Sequence, residues 1–207
     1  MIPAVAGGRG LRAAGLLGAA LAVGAWSRGG RGRRLDEEAF RALNDGWGPA
    51  ADGAFRAVTE LGSIWASAGA WAVLRVGGRA RAADRAMAAA VLAWTAGQGL
   101  KRLFGRARPY EAEPDGARLL IQKPAAASWP SSHPAVLGAF ATVAARELGL
   151  GGAARAGLAA LGAAVGLSRV YLGVHYPADV VGGILLGRAV AEAAARPGPP
   201  GPAAGLR

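Results

Sequence analysis

Both histidines of the chain stand beside residues that suit phosphate chemistry. His133 closes the stretch PSSH, Pro130 to His133, and His175 lies within SRVYLGVHYPAD, Ser168 to Asp179. A third polar block, KRLFGRARP, sets Lys101 seven residues before Arg108. Lys101 is one of only two lysines in a chain that otherwise uses arginine. Lys101, Arg108 and Arg169 supply cations for a phosphoryl group and for the charge of its transition state. Asp179, four residues after His175, is placed to hold one ring nitrogen and leave the other as a lone-pair nucleophile. The second histidine then serves as general acid and base.

The elements that position these groups are helices. Pro134 and Pro177 each suit the first turn of a helix, so a helix begins beside each histidine. Helix N-termini offer free N–H groups and a positive dipole end, a natural phosphate seat. Ser131 and Ser132 suit the cap of the first such helix and donation to phosphate. Each residue alone has a plainer role. A basic residue at a helix end is most often flanking charge, a serine before a helix is most often a cap, and a lone histidine is most often structural or solvated. The conjunction of the three blocks is what points to a site.

Six apolar segments surround the blocks: Leu11–Trp26, Leu61–Val76, Met87–Leu100, Pro134–Ala145, Ala156–Leu167 and Val180–Ala195. Each is at the short end of the about 20 residues that a spanning helix needs. They are apolar all round and rich in Ala and Gly, which pack closely in membranes. The alternative is a soluble helical bundle. If the segments alternate direction across a bilayer, all three blocks meet on one side. Five tryptophans (Trp26, Trp65, Trp71, Trp94 and Trp129) lie in or near these segments, fit either for an interfacial belt or for the core.

The first segment, with Arg9 before it and Arg12 at its start, also fits a secretory signal, but no clean cleavage site follows, which favours a retained helix. Leu35–Glu60 reads as an amphipathic interfacial helix or an exposed connection. The connection Tyr110–Trp129 has the length of a lid or binding loop, and its Leu119, Leu120 and Ile121 suit contact with lipid or burial. The tail, 196–207, is rich in Pro and Gly and reads as disordered. The absence of cysteine excludes disulfides and thiolate metal sites. The net charge of +11 comes mostly from arginines flanking apolar segments, which favours an anionic membrane surface over nucleic acid.

The three blocks resemble the signature of the type 2 phosphatidic acid phosphatase superfamily: KxxxxxxRP, PSGH and SRxxxxxHxxxD. Lys101, Arg108 and Pro109 match the first, and Ser168, Arg169, His175 and Asp179 the third. The second departs at Ser132, where the family most often has glycine. The resemblance covers roughly Leu61–Ala195. It implies an all-α, six-transmembrane-helix bundle with its site at one membrane face, in one domain over 1–195, with a first helix and amphipathic connection over 1–60 and a catalytic core over 61–195. The implied activity is metal-independent hydrolysis of a lipid phosphate or polyprenyl pyrophosphate through a phosphohistidine, without a cofactor. By the same resemblance His175 is the nucleophile and Asp179 orients it. His133 protonates the leaving group and then activates water. Lys101, Arg108, Ser131 and Arg169 bind phosphate, with the backbone N–H of Ser132 helping. The implied location is the cell membrane, with the site extracytoplasmic. Two other readings stand beside this one: a vanadate-dependent haloperoxidase-like oxidoreductase, and an inactive membrane protein of the same fold.

Overall fold

The computed structural model describes residues 4–195, and among these only helices form. They are α1 (Ala4–Trp26), α2 (Gly30–Asn44), α3 (Pro49–Glu60), α4 (Ile64–Val76), α5 (Ala80–Phe104), α6 (Pro109–Ala112), α7 (Ser132–Glu147), α8 (Gly152–Tyr171) and α9 (Pro177–Ala193). Six of them fall on the six apolar segments. Their starts and stops have local causes. The Ser63 side chain caps α4 by accepting from Ala66 N at 3.0 Å. Pro49, Pro109 and Pro177 open α3, α6 and α9. Gly105, at φ 56°, ends α5 in the left-handed conformation that glycine tolerates.

The core is α5 and α9 packed on α7. Ala86, Ala89, Ala90 and Ala93 of α5 meet Ala135, Val136, Ala139, Phe140 and Val143 of α7, together with Leu186 and Val190 of α9. Small residues let the axes approach. A Cβ at Gly183 would strike the Ser131 carbonyl, and one at Gly187 the Ala135 carbonyl. Helix α1 packs along α9, α3 along α8, and α4 along α5. At Gly24 of α1, a Cβ would come within 2.8 Å of both Phe104 and Trp129.

The segment 35–60 is not one helix. It divides into α2 and α3, because Gly46 (φ 99°) and Gly48 (φ 91°) put the chain between them outside helical geometry. Helix α2 turns 88° away from α1. Its Phe40 is buried against Val170, Tyr176 and Val180, so this helix is docked rather than an exposed connection. No single helix among the described residues is long and apolar enough to cross a membrane; the bent pair α1 and α2 meets that test together. Length and charge explain this: α4, α7 and α9 have 13, 16 and 17 residues, and α1, α5 and α8 carry basic residues near their ends. Trp26, Trp65 and Trp94 are exposed, whereas Trp129 is fully buried and stacks on Phe104 at 4.0 Å. The segment 196–207 lies outside the described residues.

Candidate functional site

The site lies where α5 ends and α7 and α9 begin. Ser131, the residue before α7, donates its N–H to the Asp179 carbonyl at 2.9 Å. This bond joins the PSSH block to the third block. The His175 N–H donates to the Arg169 carbonyl at 3.2 Å, folding the third block on itself. Arg108 reaches from the first block: its Nη1 lies 3.3 Å from His175 Nε2 and donates to the Val174 carbonyl at 2.8 Å. The three blocks therefore converge.

Lys101, Arg108 and Arg169 are each at most 4% exposed. Lys101 Nζ donates to the carbonyls of Ala127 (2.8 Å) and Ser128 (3.0 Å). Arg108 Nε donates to the Ala126 carbonyl at 2.8 Å. The connection expected to be a lid or binding loop is a strap whose carbonyls hold two of the cations. Its Leu119, Leu120 and Ile121 are half-buried, and Tyr110 Oη donates to the Pro124 carbonyl at 2.8 Å. Arg169 Nη1 donates to Thr59 Oγ1 at 2.7 Å. Among the described residues, no carboxylate forms an ion pair with any of these three cations. Buried charges are ordinarily paired, so this cluster is set for an anion. Two further atoms point the same way: Ser131 Oγ and Arg169 Nε are buried without a hydrogen-bond partner.

His175 is buried, with Nδ1 3.4 Å from Asp179 Oδ2 and Nε2 toward Arg108. Burial, with a smaller push from the Arg108 and Lys101 cations, holds its pKa well below the ordinary value, against the pull of Asp179. A neutral imidazole offers a lone pair on one nitrogen. Asp179 is fully buried and held on both oxygens: Oδ2 accepts from Ser128 Oγ (2.5 Å) and Tyr176 N (2.9 Å), and Oδ1 from Arg106 Nη1 (2.7 Å). His133 stands in the first turn of α7 and is within electrostatic reach of Arg169, Lys101 and Arg108. A Cβ at Gly62 would come within 2.9 Å of the His133 Cβ, so the turn between α3 and α4 closes one side of this histidine. Ser132 Oγ accepts from Gln98 Nε2 at 3.4 Å, and neither serine caps α7 through its side chain. The capping role expected of Ser131 is therefore not seen; its hydroxyl is left over. No group of three His, Asp or Glu side chains among the described residues is clustered so as to hold a metal ion.

Several residues in contact with these groups escaped the sequence reading. Arg106 lies inside the first block without being singled out by it, and Ser128 lies two residues before PSSH. Asp36 and Thr59 come from α2 and α3 and carry no local signal.

The family model of the PAP2 superfamily matches residues 84–196. The chain belongs to the PAP2 superfamily. Two solved structures are similar to this PAP2 protein. One is a transmembrane PAP2-type phosphatidylglycerolphosphate phosphatase from Bacillus subtilis, with TM-score 0.76 and 22% identity over 88% of this chain and 94% of that one. The other is LpxE from Aquifex aeolicus, with TM-score 0.69 and 28% identity over 76% of this chain and 92% of that one. At its identity the first likeness speaks for the fold. No curated protein matches the sequence closely enough to carry an argument.

Proposed function

We propose that this PAP2 protein is an integral membrane phosphatase acting on a lipid phosphate or lipid pyrophosphate. The observation that carries the reading is the buried cluster of Lys101, Arg108 and Arg169, free of carboxylate partners, beside the orphaned Ser131 hydroxyl and the His175 ring. Membership of the superfamily and the membrane phosphatase of similar fold support it. Residues 1–195 act as one domain in this reading. The six apolar helices, α1, α4, α5, α7, α8 and α9, form the bundle in the bilayer, with the site extracytoplasmic. Arg75, Arg79, Arg81 and Arg85, between α4 and α5 or at their facing ends, then lie on the cytoplasmic side, as positive charge does.

The phosphoryl group sits among the three cations, with Ser131 Oγ and the first N–H groups of α7 donating to its oxygens. Asp179 accepts from His175 Nδ1–H and leaves the Nε2 lone pair aimed at phosphorus. Attack forms the P–N bond as the P–O bond to the lipid breaks. With the phosphate's negative charge offsetting the three cations around it, His133 holds a proton and gives it to the departing oxygen. His133 then takes a proton from water, which attacks phosphorus, breaks the P–N bond and frees inorganic phosphate with His175 restored. The buried cations and the closed strap favour the transition state over bulk water as its surroundings. The lipid tail stays in the bilayer while its phosphate meets the site.

Phosphate release by purified protein in detergent, against a panel of phosphatidic acid, phosphatidylglycerol phosphate and polyprenyl pyrophosphate, tests this reading. Turnover of at least one supports it, and no turnover of any contradicts it.

A further inference from the structure

The polar network behind His175 extends beyond the three blocks. Arg106 donates through Nη1 to Asp179 Oδ1 and through Nη2 to Asp36 Oδ2, both at 2.7 Å. Its guanidinium stands over the Tyr176 ring, 4.3 Å from the centroid. Asp36 is buried on α2, and its other oxygen accepts the Ala178 N–H at 2.8 Å. Asp36 therefore grips the first turn of α9, the turn that carries Asp179, from a separate helix.

We propose that Asp36 and Arg106 are positioning residues for the phosphatase reaction, holding the Asp179 carboxylate in the orientation that serves His175. The inference rests on the nucleophile assignment above. An aspartate carboxylate rotates easily about its terminal bond. Arg106 pins Oδ1, which keeps Oδ2 on the side of His175, Ser128 and the Tyr176 N–H. A buried guanidinium between two buried carboxylates is costly to break from either side. The three groups carry one net negative charge, which His175 meets through Asp179. The plainer reading is an ion-pair staple that merely fastens α2 to α9, a fastening that Phe40 already supplies by packing on Tyr176 and Val180.

The two readings separate in the pH profile. The charges that act on His175 are Asp179 on its own side and Arg108 and Lys101 across the site; Arg106 and Asp36 stand behind Asp179, and Ser128 adds a neutral hydroxyl. Removing the Arg106 cation makes the ring easier to protonate. Removing the Asp36 anion makes it harder. On one lipid substrate, the acid limb of kcat/KM should move up by about half a pH unit in Arg106→Met and down by a similar amount in Asp36→Asn. Each variant should lose about tenfold in kcat with KM changed little, since orientation acts on the chemical step. Arg106→Lys and Asp36→Glu should each recover part of the loss. Limbs that stay in place or move together, with losses that follow the fraction of folded protein, overturn the proposal. His175→Ala run alongside separates the two failures. If it is inactive and the limbs do not move apart, the positioning role alone falls; if it is active, the nucleophile assignment falls and takes the positioning role with it.

Discussion

The Ser131 N–H and the Asp179 carbonyl meet at 2.9 Å, and this bond fixes the start of α7 against the start of α9. It brings His133, in the first turn of α7, and His175, two residues before α9, to one site. Gly183, one turn further along α9, faces the Ser131 carbonyl with no room for a side chain. Gly183→Val should force the two helices apart, costing about 1–3 kcal/mol of stability. Thermal unfolding in detergent should fall by several degrees and kcat should drop with it. An unchanged midpoint with full turnover would show that the helix starts tolerate separation.

The two serines before His133 should separate in function. Ser131 Oγ is buried and unpartnered, whereas Ser132 Oγ already meets Gln98. Ser131→Ala should lower kcat/KM more than Ser132→Gly, which should stay within about tenfold, or about 1.4 kcal/mol on the barrier. The reverse order, measured on one lipid substrate, would make Ser132 the phosphate ligand.

The helices and the three blocks were legible because both depend on short-range pattern. Apolar runs bounded by proline, glycine and basic residues marked six helices, and the fixed spacings of Lys101 with Arg108 and of His175 with Asp179 marked the site. The contacts of Asp36 and Thr59 were not legible, because an aspartate or threonine in an amphipathic stretch looks the same whether it faces water or a buried arginine. Only the docking of α2 and α3 decides that. The break between α2 and α3 rested on backbone angles at Gly46 and Gly48, and the many other glycines of the chain masked that signal.

Thr59 should prove a support for substrate binding. Its hydroxyl accepts from Arg169 Nη1 at 2.7 Å, and both side chains are buried. Thr59→Val keeps the shape and removes the acceptor, leaving a buried guanidinium less well held. KM should rise by roughly tenfold, the effect of losing one hydrogen bond to a charged group, with kcat changed less. A wild-type KM would mean that Arg169 keeps its position without Thr59.

Vanadate, which mimics five-coordinate phosphorus, should inhibit competitively by filling the cluster of Lys101, Arg108 and Arg169. Turnover should survive excess chelator, because the proposed steps use only groups of the chain and water. Loss of activity with EDTA that added divalent metal restores would count against those steps.

The covalent step is tested most directly by trapping the phosphoryl group on the enzyme. Rapid acid-free quenching during turnover, followed by peptide mass spectrometry, should place a base-stable, acid-labile phosphate on His175. His175→Ala should show neither that phosphate nor measurable turnover. A His175→Ala protein that releases phosphate at close to the wild-type rate, with no phosphohistidine in either protein, would contradict the account.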